Sequence, residues 1–488
     1  MKDATAHTDS GGWNWDHSYA RLPALFFARV APESVAESRM IIFNHALGTE
    51  LGLQAGYLAS EEAAGFFTGN RLPEGAEPIA QAYAGHQYGR FTGLGDGRAL
   101  LLGEHLSPDG KRWDIQLKGS GRTPYSRNGD GRAVVGPMLR EYLISEAMQA
   151  LGIPTTRSLA VAATGESVWR NEPSPGAVLT RVAASHIRIG TFEWAAAHED
   201  KAALVALLRH TVARHYPGLE PGDARAFYRA AMERQLALVA EWMRVGFIHG
   251  VMNTDNVALS GETIDYGPCA FMDAYDPDAV FSSIDHGGRY SFANQPSIAR
   301  WNMARLAEAL LPLFSEERGE AIDFANEVLG SAEEYFQREW LGMMRRKTGL
   351  HTAEDGDMDL VEDLLDRMHQ SGADFTNTFR ALCGAGALEK CPFDQESLRE
   401  WHGLWQARLA RNGQAPEATL QVMRAANPAV IPRNHLVEDA LASATSGDMK
   451  PFQNLLRILA SPYEEPKEPG YTEAAPAGVP RHVTYCGT

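Results

Sequence analysis

Between Ala99 and Lys118 the chain reads as two strands. Ala99-Leu-Leu-Leu is an apolar run, Ser107-Pro-Asp-Gly-Lys111 a polar turn, and Trp113-Asp-Ile-Gln-Leu-Lys118 alternates with the period of two that a strand requires. Residues 85–120 as a whole are strand-like and rich in glycine. Helical periodicity follows over 137–151, with Pro137 in the opening turn and Gly152-Ile-Pro154 closing it. Ser158–Thr164 and Ala177–Val182 predict further strands, and Ser34–Leu47 and Ser60–Phe67 predict short helices near the N-terminus. From about residue 192 the spacing predicts long helices over 199–215, 222–245, 297–315, 317–347, 357–371, 395–411 and 416–426. Beyond Ser461 the chain is rich in Pro, Glu and Gly and reads as an irregular arm.

A β-rich segment with one prominent helix, followed by a helical segment, predicts the α+β class. The order matches a two-lobed, protein-kinase-like architecture with a nucleotide between lobes. The expected division is 1–80 as an N-terminal extension packed on the core and 81–191 as a β-rich N-terminal lobe carrying the nucleotide loop. Residues 192–460 form a helical C-terminal lobe with the catalytic and metal loop, and 461–488 a mobile C-terminal arm.

Composition narrows the function. Hydrophobic content of 44% and charged content of 22% are ordinary for a globular chain. A net charge of −17 argues against general nucleic-acid binding. No apolar run approaches the ~20 residues that span a membrane, and the N-terminus has neither an apolar leader nor an Arg-rich one. The expectation is a cytoplasmic protein without a membrane partner. Four cysteines are too few for a disulfide scaffold, and Cys383 and Cys391 read as small buried hydrophobes.

The candidate chemistry centres on His249-Gly-Val-Met-Asn-Thr-Asp-Asn256, followed by Asp265-Tyr-Gly267. The intervening Val257–Ile264 reads as strand, turn, strand, which would set Asn256 and Asp265 at the two ends of a tight hairpin. Both would then face one divalent ion, and hard oxygen ligands suit Mg²⁺. The spacing resembles the kinase catalytic loop and its metal-binding Asp-Phe-Gly. The usual base position is Val251, which cannot accept a proton, and Asp255 is the neighbouring carboxylate. The competing reading is a hairpin whose Asn and Asp satisfy turn amides.

Other segments admit two readings each. Gly93-Leu-Gly95-Asp-Gly97-Arg98 is either a phosphate-approaching loop or a plain turn. Lys118 is either a phosphate-neutralising lysine or a solvated strand end. A kinase-like lysine needs a helix Glu, and the helix offers Glu141 and Glu146. These lie about 140° apart around the axis, and the apolar face leans towards Glu146. Gly129-Asp130-Gly131-Arg132 is a glycine-flanked carboxylate or a turn. Arg181 and Arg188 are a phosphate clamp or two surface cations. No His/Cys metal cluster and no Gly-x-Ser-x-Gly elbow is present.

These stretches together resemble the selenoprotein O family, known in bacteria as the YdiU family. The resemblance rests on His17-Ser-Tyr-Ala-Arg-Leu-Pro, Tyr83-Ala-Gly-His-Gln-Tyr-Gly, Gly95-Asp-Gly-Arg and Gln116-Leu-Lys-Gly-Ser-Gly-Arg-Thr-Pro-Tyr-Ser-Arg. It continues in Gly129-Asp-Gly-Arg-Ala-Val, Thr180-Arg-Val-Ala-Ala-Ser-His-Ile-Arg-Ile-Gly-Thr-Phe-Glu, the His249–Asn256 stretch and Ile264-Asp-Tyr-Gly-Pro-Cys. It implies a kinase-like fold that binds ATP in flipped orientation and transfers AMP to Ser, Thr or Tyr of partner proteins, releasing pyrophosphate. Residue by residue it implies Gly95, Gly97 and Arg98 as the nucleotide loop, and Lys118 on phosphate paired with Glu141. It implies Asp130, Gly131, Arg181 and Arg188 on nucleotide, Asn256 and Asp265 on Mg²⁺ or Mn²⁺, and Asp255 as proton acceptor. Some members carry selenocysteine where this chain has Cys486; Cys269 and Cys486 read either as a reversible disulfide that regulates access to the site or as two unrelated thiols. Competing activities are uridylyl transfer from UTP with Mn²⁺, γ-phosphate transfer, and an inactive scaffold.

Overall fold

The computed structural model describes residues 11–384, 395–476 and 482–484. The fold is mixed α+β. An antiparallel sheet is built from β1 (Trp15–Asp16), β2 (Phe27–Arg29), β3 (Arg39–Phe43), β4 (Ile79–Gln81), β7 (Ala99–Leu106), β8 (Arg112–Lys118), β9 (Arg157–Trp169) and β10 (Pro173–Ala183). Its order is β2-β4-β7-β8-β10-β9-β3, with β1 paired to β7. A separate hairpin joins β5 (Ala84–Gln87) to β6 (Arg90–Gly93), and β11 (Phe247–Ile248) pairs with β12 (Ala270–Phe271). The large sheet takes strands from both sides of residue 80.

Strand parity decides which side chains reach the site. In β8, Ile115 and Leu117 enter a core with Leu159, Val178 and Val182, so Gln116 and Lys118 project from the opposite face. In β10, Leu179 and Arg181 project away from that core for the same reason. Arg181 stands opposite Gln116 in the β8–β10 register.

Over the second face lies the helix Val135–Ala150. Its Met138, Leu139, Tyr142 and Leu143 pack with Leu179 and Val161 of the sheet. The helices Asn434–Thr445 and Lys450–Leu459 return from the far end of the chain and pack on it. They join the helical part, in which Ala224–Arg244, Gln295–Phe314 and Arg318–Thr348 pack on one another. Among the described residues no helix is long and apolar enough to cross a membrane.

Two expectations are corrected. The segment predicted as a helix over Ser34–Leu47 is strand β3 followed by the short helix His45–Glu50. Ile41, Ile42 and Phe43 are β-branched or aromatic, and the strand pairs with β9. Asn44 then stops the strand and caps the helix, its Oδ1 accepting from Leu47 N at 3.0 Å. The second correction is the Val257–Ile264 hairpin. Its turn exists, with Gly261 N bonded to Ala258 O at 3.1 Å. Its two arms pair outward instead of with each other: Ala258 bridges Arg188 and Thr263 bridges Thr155. Leu259 N reaches Ile187 O at 2.9 Å and Thr156 N reaches Thr263 O at 3.0 Å. The loop is thereby sewn to the segments leaving the helix Val135–Ala150 and strand β10.

Residues 463–476 contain no helix or strand, yet they are pinned. Tyr463 Oη donates to Leu151 O at 2.9 Å, and Thr472 O accepts from Arg433 Nη2 and Asn377 Nδ2, both at 3.0 Å.

Candidate functional site

A cleft of about 620 Å³ opens between the sheet face carrying Lys118 and the loop 251–268. Lys118 donates to Glu141 Oε2 at 2.6 Å and to Asp265 Oδ1 at 2.9 Å. Arg181 donates through Nε to Glu141 Oε1 at 2.7 Å and through Nη2 to Asp265 Oδ1 at 2.5 Å. Arg188, at the start of the helix Ile189–Ala197, donates to Asp265 Oδ2 at 3.2 Å and to the carbonyl of Asp255 at 2.7 Å. Its guanidinium lies 4.5 Å above the ring of Tyr83. Three cations thus converge on Asp265, and two of them also hold Glu141.

The electrostatics follow. Burial raises the pKa of Asp265, but Arg181, Lys118 and Arg188 outweigh it and hold the carboxyl well below its usual range. Glu141 is likewise raised by burial and brought below its usual value by Arg181 and Lys118. Asp255 lacks such compensation: burial lifts it to about 6 against the partial opposition of Arg188. Its Oδ1 is buried with no hydrogen-bond partner among the described residues. Asp265 also holds a left-handed backbone, φ +64°, which a non-glycine residue adopts at a cost of order 1–3 kcal/mol. That conformation turns its carboxylate into the cation cluster.

The cleft lining includes Gly95, Gly97, Arg98, Lys118, Asp130, Gly131, Arg181, Arg188, Asp255, Asn256 and Asp265. Glu141 stands behind Lys118 rather than in the wall. The periodicity argument for Glu146 is overturned: Glu146 binds Arg157 at 2.7 and 2.8 Å and is committed there. The surface-cation reading of Arg181 and Arg188 is excluded by their exposures of 2% and 3%. Asp130 is held by Arg170 at 2.8 and 3.1 Å, a partner the sequence reading did not name. Gly95 is required by a close neighbour: at φ +137°, an added Cβ would lie 2.4 Å from the Tyr125 ring.

Asn256 donates through Nδ2 to Val251 O at 3.0 Å, which leaves the carbonyl end of its amide for a ligand. Among the described residues no group of three or more His, Cys, Asp or Glu is arranged to hold a metal. Two protein oxygen donors in a cleft fit an ion that completes its shell with phosphate and water. The unpartnered Asp255 Oδ1 beside them supports that fit. Seven basic side chains line the cleft against four acidic ones, in a chain of net charge −17. This local excess selects an anionic ligand.

Cys269 is 1% exposed, and burial pushes its thiol up to about 12. Cys383 is buried as expected. Cys391 and Cys486 lie outside the described residues. The sequence reading missed His86, Glu193, Asn253 and Thr254. His86 lay in the quoted Tyr83–Gly89 motif and Thr254 between two chosen residues, but nothing in the pattern assigned them partners.

A family model described as "Protein adenylyltransferase SelO" matches residues 12–460. A protein nucleotidyltransferase YdiU of Syntrophotalea carbinolica is 55% identical over 494 residues, covering 99% of this chain and 100% of the relative. One from Nitrosococcus oceani is 54% identical over 496 residues, covering 100% of both. One from Anoxybacillus flavithermus is 55% identical over 485 residues, covering 98% and 100%. With a cation-lined cleft, a matching family model over most of its length and relatives aligned end to end, the chain belongs to the SelO family of protein adenylyltransferases.

Proposed function

We propose that this chain transfers AMP from ATP to Ser, Thr or Tyr hydroxyls of partner proteins, within a two-lobed, kinase-like fold. The observation that carries the reading is the convergence of Lys118, Arg181 and Arg188 on Asp265 beside the unpartnered Asp255 Oδ1. In the transfer, the acceptor oxygen bonds to the α-phosphorus and the bond to the β-bridging oxygen breaks. Pyrophosphate leaves with that electron pair, and the hydroxyl proton passes to Asp255. Such transfer needs positioning and charge neutralisation more than covalent chemistry from the protein. The three cations supply the neutralisation. Glu141 keeps Lys118 and Arg181 aimed at the cleft. Gly95, Gly97, Arg98, Asp130 and Gly131 contact the nucleotide.

Asn256 and Asp265 would hold Mg²⁺ or Mn²⁺, which when bound neutralises phosphate charge. Asp255 supplies the carboxylate that position 251 lacks, and Val251 lines the cleft as an apolar side chain. A carboxylate buried to a pKa of about 6 is matched to accepting a proton near neutral pH.

The reading includes a Cys269–Cys486 redox switch. Its structural support is Thr484, whose Oγ1 donates to Pro268 O at 2.8 Å, one residue from Cys269. The test of the main reading is intact-protein mass spectrometry of an acceptor protein incubated with the enzyme, ATP and Mg²⁺. The expected product carries one AMP, and Asp265→Ala abolishes it. An added phosphate would make the chain a kinase, and an unmodified acceptor with nucleotide bound would make it a scaffold.

A further inference from the structure

The wall behind Asp255 is built by a cluster that none of the assigned roles uses. Thr254, fully buried, donates through Oγ1 to Glu193 Oε2 at 2.6 Å and accepts from the backbone N of His86 at 2.7 Å. Its hydroxyl is therefore used as donor and acceptor at once. The other oxygen of Glu193 lies 2.5 Å from His86 Nδ1. Glu193 belongs to the helix that Arg188 begins, and His86 to strand β5. Three separate segments meet on one hydroxyl, in the residue adjacent to Asp255.

The turn that follows β5 reinforces the contact. Tyr88 N donates to Asn253 Oδ1 at 3.0 Å, and Tyr290 Oη donates to the same oxygen at 2.6 Å. Gly85 lies so close to Asp255 that an added Cβ would stand 2.2 Å from Oδ1. The hairpin thus lies across the turn Thr254–Asn256, with backbone bonds to Asn253 and Thr254, the Gln87 side chain bonded to the Asp255 carboxyl, and glycine against Asp255 Oδ1. The arrangement fixes the turn from both sides and leaves Asp255 Oδ1 without a donor among the described residues. Aromatic rings close the outer side, with Trp301 and Phe91 each 5.4 Å from the His86 ring.

We infer that the His86–Glu193 pair is a positioning device for proton acceptance, acting through Thr254 to hold the Asp255 carboxylate against the cleft with one oxygen unpartnered. The inference rests on the adenylylation reading. Neither His86 nor Glu193 lines the cleft. Small displacements of a proton acceptor cost about 10²-fold in rate without loss of substrate affinity.

Glu193→Ala, Glu193→Gln, Thr254→Ala and Thr254→Ser test it by steady-state AMP transfer, with kcat and KM for ATP separated and melting followed in parallel. Glu193→Ala and Thr254→Ala are expected to lower kcat at least about tenfold with KM for ATP changed less than about threefold. Glu193→Gln recovers most of the rate, because its carbonyl accepts from Thr254 and its amide donates to His86. Thr254→Ser does the same by keeping the hydroxyl. Should Glu193→Ala fail to fold, the Thr254 pair decides alone. Equal rates in Glu193→Ala and Glu193→Gln, or a rise in KM matching the fall in kcat, would overturn the inference. A wild-type protein that transfers no AMP would overturn the reading beneath it instead.

Discussion

Arg181 Nη2 stands 2.5 Å from Asp265 Oδ1 and 2.5 Å from Glu141 Oε1, in a side chain only 2% exposed. One buried cation thus joins the sheet, the helix Val135–Ala150 and the loop that carries Asp265. Removing it leaves two buried carboxylates with Lys118 and Arg188 as their remaining partners. Arg181→Ala is expected to destabilise the fold by about 3–5 kcal/mol, the cost of uncompensating a buried charge. Thermal or denaturant unfolding measures it.

Glu141 and Glu146 should separate cleanly by function. Glu141→Gln weakens the hold on Lys118 and Arg181, and kcat/KM for ATP is expected to fall about 10²-fold. Glu146→Gln loosens only the Arg157 pair, and catalytic efficiency is expected to stay within about threefold of wild type. Steady-state kinetics of the two variants side by side checks the assignment.

Asp255 links activity to pH. With its carboxyl lifted to about 6, kcat is expected to fall as pH drops below that value, roughly tenfold per unit. The stability effect has the opposite sense. The folded pKa exceeds the unfolded one, so between about pH 4 and 6 the folded state binds the extra proton. Stability therefore declines as pH rises through that window. At neutral pH the gap between 3.8 and about 6 corresponds to about 3 kcal/mol. Asp255→Asn should accordingly be inactive and, at pH 7, more stable than wild type by up to that amount. Melting of both proteins at pH 4 and pH 7 tests the sign.

Gly85→Ala probes the same carboxylate sterically. The new Cβ would stand 2.2 Å from Asp255 Oδ1 and 2.8 Å from Leu94 Cδ1, so the loop or the hairpin must move. AMP transfer is expected to drop at least about tenfold, with ATP affinity falling less. Isothermal titration with ATP alongside kinetics separates the two.

Oxidation offers a further test. Wild-type protein treated with a mild oxidant is expected to lose activity and to regain it with reductant, while Cys486→Ser stays insensitive. Equal activity of both proteins under both conditions would remove the proposed switch.

The sequence exposed most of the cleft because its lining residues sit in short, unusual motifs. Lys118 was legible as the end of an alternating strand, and strand parity does put it on the face opposite Ile115 and Leu117. Periodicity misjudged the helix because both its glutamates are paired: Glu141 is buried on Lys118 and Arg181, and Glu146 is turned to Arg157. A face read from apolar residues cannot foresee a buried ion pair. The strand Arg39–Phe43 was hidden by neighbours of helical composition and is settled by pairing with β9, a contact about 120 residues away in sequence. The arms of Val257–Ile264 alternate as a hairpin should, but their backbone partners come from Thr155 and Arg188. His86, Glu193 and Thr254 lie within the quoted motifs, but nothing local pairs them, since their relation exists only after three distant segments meet.

In the proposed reaction the α-phosphorus of ATP, not the γ, is the atom transferred. The direct measurement supplies ATP labelled at either phosphorus to the reduced enzyme with Mg²⁺ and an acceptor protein, and follows label on the acceptor. Retention of the α label together with release of the γ label as pyrophosphate is the predicted result. Retention of the γ label would contradict it and make the cleft a phosphoryl-transfer site.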